Sequence, residues 1–118
     1  MRTAAVPLVL LLLTLVSVPL QADARADAKK QVEFGIAVAQ RGLWREAIYR
    51  WERAAQIDPT YAPAHNNLAI AYEHEGDLAK ARAAYERALE LEPGNALIEQ
   101  NYELFREIND RTTGKNTQ

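Results

Sequence analysis

The side chains that could catalyse a reaction or hold a metal ion are few, and their spacing does not suit either task. The chain has 118 residues, with two histidines and no cysteine. His65 and His74 are nine residues apart, which places them about 180° from each other on one helix, too far apart to chelate one ion. Glu73 and Glu75 flank His74 without sharing its helical face, so they form no acid–base pair with it. We therefore predict no catalytic residue, no metal site and no cofactor.

Nucleophiles, phosphate-binding loops and basic stripes are also missing from the sequence. Beyond residue 24 there is no serine, and the threonines are Thr60 and three residues of the C-terminal tail. No Gly-rich phosphate loop occurs. The net charge is only −2, and the arginines alternate with acidic residues. Nucleic-acid binding requires an unbalanced basic surface, so we expect no nucleic-acid partner. Without cysteine there are no disulfides.

The first 24 residues have the pattern of a secretory signal peptide. Arg2 precedes a dense apolar run, residues 6–20, and Ala22-Asp23-Ala24 supplies a small-x-small cleavage site. We predict a signal peptide over residues 1–24 and a periplasmic or secreted protein. The alternative is an uncleaved inner-membrane anchor formed by the uncharged residues 3–22, about the length of a spanning helix. Only in that case would the chain contact a membrane, with its remainder outside the cytoplasm.

The remainder of the chain is organised by an internal repeat of 34 residues. Aligning residues 28–61 with residues 62–95 gives nine identities, among them Gly42/Gly76 and Pro59/Pro93. Repeats of this length usually stack into a solenoid, in which each unit buries its apolar face against its neighbours. The repeat therefore predicts an all-α solenoid of about five helices.

Apolar residues at helical spacing and the residues between them place these five helices. We predict helices at about residues 28–41, 43–57, 61–75, 78–91 and 96–110. Gly42 and Gly76 are expected to end helices in the left-handed conformation, while Thr60 and Asn95 are expected to cap the helices that follow them. Gly35 would allow close approach of the next helix. Phe34 and Val38 are predicted to share one face of the first helix with Gly35, and residues 111–118 to form a disordered tail.

The chain resembles the tetratricopeptide repeat family over about residues 28–109. The resemblance rests on the 34-residue period, on the small residues Gly35/Ala69 and Ala47/Ala81, and on the paired aromatics Trp51/Tyr85. It implies helix-turn-helix units stacked in a right-handed superhelix, with the first helix of each pair lining a concave groove. The expected domain covers residues 25–110, with repeats at 28–61 and 62–95 and a capping helix at 96–110.

The same resemblance implies which residues face the groove. Ile36, Ile70 and Leu104 are 34 residues apart and would form an apolar line, while amide side chains could hold a peptide backbone. The alternative is that the three apolar residues only pack between helices. The predicted peptide-binding set is Val32, Ile36, Asn66, Asn67, Ile70, His74, Gln100, Asn101 and Leu104.

These features favour a non-enzymatic adaptor of the cell envelope that docks a protein or peptide on its concave face. Two repeats and a capping helix are fewer than the three repeats that usually make a stable array. The alternative function is therefore structural, a self-associating homo-oligomer whose solenoid ends stack without a separate ligand.

Overall fold

A computed structural model of the chain describes residues 2–4 and 20–115. Within them the chain forms five α-helices and no strand: α1 (Leu20–Gln40), α2 (Trp44–Ile57), α3 (Ala62–His74), α4 (Leu78–Leu91) and α5 (Ala96–Lys115). The helices pair as α1 with α2 and α3 with α4, and the two pairs pack on each other, with α5 against α4. The expected all-α solenoid is confirmed.

A glycine makes the turn between the two helices of each pair possible. Gly42 and Gly76 adopt φ values of 79° and 78°, a left-handed conformation that is costly for residues with a Cβ. Asp77 then begins α4 by accepting a hydrogen bond from the backbone N–H of Lys80. Asn95 begins α5 in the same way, since its Oδ1 accepts from the backbone N–H groups of the second and third residues that follow it. The predictions for Gly42, Gly76 and Asn95 are confirmed.

The predicted N-cap at Thr60 is wrong. Tyr61 stands at that position, and no side chain caps α3. Thr60 instead donates its backbone N–H and its hydroxyl to Oδ1 of Asp58, at 3.0 and 2.7 Å. The carboxylate two residues earlier therefore organises this turn, as aspartate side chains commonly do.

Two helices are longer than the sequence predicts. The first begins at Leu20, so residues 20–27 are helical and the start of α1 overlaps the predicted cleavage site. The last continues to Lys115, where an ion pair between Arg111 and Glu107 supports the extra turn, so residues 111–115 of the predicted disordered tail are helical. The rest of the predicted signal peptide or anchor, apart from residues 2–4, and residues 116–118 lie outside the described residues. Among the described helices, none is both long and apolar enough to cross a membrane.

A close helix contact joins α1 and α2 at Gly35. The indole of Trp51 is 2% exposed and packs directly over Gly35, where its Nε1 donates to the carbonyl of Val32 at 3.1 Å. Around this contact the core is built largely from fully buried alanines, with Tyr85 and Phe105 as its largest fully buried side chains. Small side chains let the helices approach closely, so the predicted role of Gly35 is confirmed.

Tyrosine–glutamate hydrogen bonds join each unit to the next. The hydroxyl of Tyr72 on α3 donates to Glu52 on α2 at 3.0 Å, and that of Tyr102 on α5 donates to Glu86 on α4 at 2.9 Å. Glu52 and Glu86 occupy the same position of the repeat. Burial and the neighbouring carboxylate raise the pKa of Tyr72 to about 12, so this hydroxyl keeps its proton and remains a donor across the physiological range.

Arg25 fastens the start of α1 to the turn between α2 and α3. Its Nε lies 2.5 Å from a carboxylate oxygen of Asp58, and its guanidinium lies 5.1 Å from the ring centre of Tyr61. Burial opposes ionisation of Asp58, but hydrogen bonds from Arg25 and Thr60 outweigh it and hold the pKa of Asp58 below its ordinary value.

We expect Gly35→Ala to destabilise the fold, because the added Cβ would overlap the buried indole of Trp51. Overpacking of this kind costs about 1–3 kcal/mol, and the better helix propensity of alanine offsets about 1 kcal/mol. Urea unfolding measures the difference. Gly94→Ala is the matched control, since nothing lies within 4 Å of its added Cβ, and its change should stay within about 0.5 kcal/mol. Equal stabilities of the two variants would contradict the close-contact interpretation.

We expect Asp58→Asn to remove part of the acid sensitivity of the protein. The folded pKa of Asp58 lies below the unfolded value near 3.8, so its ionised form stabilises the fold above that value, and this contribution is lost as the pH falls through the folded pKa. The variant should lose up to about 1 kcal/mol at pH 7. Unfolding measured between pH 7 and pH 3 should show a smaller decline for the variant than for the wild type; parallel curves would exclude the contribution.

Candidate functional site

A groove of about 340 Å³ lies between the first helices of the two repeats. Its volume is at the lower end of the range of small-molecule sites, about 300–1,000 Å³. The lining residues come from α1, α2 and α3 and include no charged side chain: Ile36, Ala39, Gln40, Trp44, Trp51, Asn67 and Ile70. Such a surface suits apolar side chains, with amides available for hydrogen bonds.

Ile36 and Ile70 occupy the same position of successive repeats, and the structure brings them into the same groove. Ile36 is 39% exposed, whereas Ile70 is half-buried against the core. Asn67 donates its Nδ2 to the carbonyl of Pro63 at 2.9 Å, which fixes the amide and leaves its Oδ1 as an acceptor. The groove therefore combines two aliphatic side chains with one oriented amide.

An aromatic pair lies where α2 begins and α3 ends. Trp44 is half-buried and stacks on His74, with ring centres 4.1 Å apart and planes inclined by 21°. Trp44 lines the groove, so His74 holds one of its walls rather than lining the groove itself. Trp44 was not predicted to line the groove, because its spacing in α2 matches that of the core residues of this helix. The turn at Gly42 brings it beside the end of α1.

Two residues of the predicted peptide-binding set do not face solvent. Val32 is 4% exposed and Asn66 is 7% exposed, so neither presents a surface to a ligand as expected. Val32 is turned into the core beside the Trp51 contact. Asn66 accepts a hydrogen bond from Nδ2 of Asn101 at 3.2 Å, and this amide pair joins α3 to α5. Both residues hold helices together.

The predicted residues of α5 lie outside the groove, since its lining belongs to the first three helices. Gln100 and Leu104 are exposed, the latter by 51%, while Asn101 is half-buried in its bond to Asn66. Of the three residues expected to form an apolar line, Ile36 and Ile70 line this groove and Leu104 does not. No group of three or more potential metal ligands occurs among residues 2–4 and 20–115.

Two family models match the chain. One, described as tetratricopeptide repeat, matches residues 62–95, and another, described as TPR repeat, matches residues 35–76. Together they cover residues 35–95, about half of the chain, and both fall on the helical pairs described above. The chain belongs to the tetratricopeptide repeat family. Repeats of this family generally mediate protein–protein interactions and are typically not enzymatic.

Several curated proteins share this repeat region. Type IV pilus assembly protein PilF of Pseudomonas aeruginosa is 31% identical over 86 residues, 71% of this chain and 34% of its own. Protein O-mannosyl-transferase TMTC1 of Mus musculus is 34% identical over 57% of this chain and 7% of its own. The uncharacterized protein ycf37 of Pyropia yezoensis is 47% identical over 38% of this chain and 25% of its own. The chain thus spans about a third or less of these relatives.

Proposed function

We propose that this protein is a non-enzymatic adaptor that docks a peptide or a protein subunit in the groove between α1 and α3. The observation that carries the proposal is the groove's lining, which is largely apolar, free of charged side chains and open to solvent. A groove of this kind favours a protein partner over a phosphorylated or strongly charged ligand, because a buried charge would find no counter-ion there.

The lining also suggests the chemistry of the docked segment. Ile36, Ile70 and the indole of Trp44 would surround a bulky apolar side chain of the partner, and the free Oδ1 of Asn67 would accept a backbone N–H. Repeated apolar anchors with one or two backbone hydrogen bonds are typical of peptide recognition in grooves.

The envelope is the proposed place of action. The N-terminal pattern of Arg2, the apolar run and Ala22-Asp23-Ala24 favours export, either as a periplasmic or secreted protein or with an inner-membrane anchor. The similarity to a protein named for type IV pilus assembly supports a role in building an envelope structure. The similarity to a mannosyl-transferase covers only 7% of that protein, so it supports a shared repeat and no transfer reaction.

We expect Ile36→Asp combined with Ile70→Asp to abolish capture of the partner from the cell envelope, because the two carboxylates would have to be desolvated in the docked complex. The measurement is quantitative affinity purification of the protein as the cell produces it, compared with the wild type. A loss of at least about tenfold in the specific partner corresponds to the removal of about 1.4 kcal/mol of binding.

Leu78→Asp is the matched control, since Leu78 is 42% exposed at the start of α4 and outside the groove. It should capture the partner as the wild type does. Ile36→Asp alone serves as the milder variant if Ile70→Asp perturbs folding, which circular dichroism reports. Undiminished capture by a folded groove variant would reject docking at this site.

A further inference from the structure

The first repeat exposes a face that the second repeat buries. Phe34 and Leu68 occupy equivalent positions of the two repeats, yet Phe34 is 48% exposed and Leu68 only 6%. Ala37 is likewise exposed, whereas its equivalent, Ala71, is fully buried. The difference arises because α2 covers the second repeat, while no described helix precedes the first.

An arginine organises this exposed face. The guanidinium of Arg50 lies 4.3 Å from the ring centre of Phe34 and 5.4 Å from that of Tyr49, which is itself 57% exposed. Ala37 lies one turn beyond Phe34 on α1. We call Phe34, Ala37, Tyr49 and Arg50 the leading face. Exposed aromatic side chains gathered around an arginine are typical of the centre of a protein–protein interface.

The charges of the molecule are distributed unevenly along the solenoid. Residues 25–57 contain seven basic and four acidic side chains, whereas residues 62–115 contain six basic and ten acidic ones. Lys30 and Arg41 lie on the same side of α1 as Phe34. On α2, Arg53 follows Arg50 by three residues and lies near the same face. Lys30 pairs with Asp27 at 3.8 Å and Arg50 with Glu46 at 2.9 Å. In the described part of the chain, neither Arg41 nor Arg53 has a carboxylate within ion-pair distance. The leading face therefore favours an acidic partner surface.

The opposite end of the chain carries such a surface on α5. Leu97 is 61% exposed and Leu104 51%, and their spacing of seven residues places them on one side of the helix. Ile108, one turn further on, is 59% exposed. Glu103 and Glu107 each lie one position before a member of this row and border it on one side, where they pair with Arg106 and Arg111 but remain exposed. We call Leu97, Leu104 and Ile108 the trailing stripe.

We propose that the leading face of one copy binds the trailing stripe of α5 of a second copy, so that the protein self-associates head to tail. In this contact α5 of the second copy would cover the first repeat as α2 covers the second repeat. In both cases a helix presents apolar side chains to the face that it covers. In this contact the acidic border of the stripe would face Arg41 and Arg53, which have no ion-pair partner in the described part of the chain. This goes beyond the proposed adaptor function, because it uses neither Ile36 nor Ile70.

A head-to-tail contact joins two different surfaces, so an open assembly keeps one unused leading face at one end and one unused trailing stripe at the other. A variant damaged in the leading face still offers an intact trailing stripe, and a variant damaged in the stripe still offers an intact leading face. The two variants should therefore be monomeric separately and form a dimer when mixed. A symmetric contact, in which each surface binds its own kind, makes no such complementary pair.

The test is light scattering coupled to size exclusion on the protein purified as the cell produces it, in mild detergent if the apolar N-terminus is retained. The wild type should show a mass that rises with concentration and falls as salt is raised from 50 to 500 mM, because screening weakens the charge contacts. Phe34→Glu and the double variant Leu97→Lys/Leu104→Lys should each weaken association at least tenfold, and their equimolar mixture should run as a dimer. Circular dichroism confirms that both are folded.

Ile36→Asp provides the control that separates this inference from docking in the groove, and it should associate as the wild type does. A wild type that is monomeric at all concentrations would overturn the proposal. So would a mixture of the two folded variants that stays monomeric, or association that Ile36→Asp abolishes and Phe34→Glu leaves intact. The first two results leave partner capture by the groove unaffected, whereas the third would assign self-association to the groove.

Discussion

Each helical pair of this chain can bury its apolar face only against a neighbouring pair, and the rest of the structure follows from this constraint. The Trp51 contact over Gly35 closes the first pair, because an indole can lie that near a backbone only where no Cβ intervenes. Once the pair is closed, its outer surface becomes the support for the next one. The tyrosine bonds to Glu52 and Glu86 recur at this boundary because the same position of the repeat faces it each time.

The two ends of the array meet the constraint differently. At its C-terminal end, α5 buries Phe105 and Ile98 against the second repeat, while its outer side carries charged residues beside the exposed trailing stripe. At its N-terminal end, Arg25 fastens the start of α1 to Asp58, but Phe34 remains half exposed. The ion pair of Arg25 with Asp58 thus fixes the position of α1 without covering its apolar side, so the first repeat exposes the face that the second repeat buries.

Much of this fold could be predicted from the sequence, because glycines and periodic apolar residues act locally. Gly42 and Gly76 turn the chain through their own backbone freedom, and no distant residue is needed to foresee it. The failed prediction at Thr60 has the opposite origin, since Arg25, 33 residues from Asp58, holds the carboxylate that organises this turn. The prediction that Val32 lines the groove failed for a related reason. The Trp51 indole, which lies on another helix, determines how α1 is rotated and so turns Val32 into the core.

The groove and the two end surfaces differ in the physical force that would drive binding. The groove has no charged residue in its lining, so its interactions would be largely hydrophobic and nearly insensitive to salt. The leading face combines apolar side chains with basic ones, and the trailing stripe combines apolar side chains with an acidic border. A contact between them would therefore weaken as ionic strength rises. Both kinds of surface meet on α1, where Ile36 and Phe34 lie two residues apart and point about 200° apart around the helix. A partner in the groove and a second copy on the leading face would therefore approach opposite sides of one helix, so the geometry of α1 allows both to bind at once.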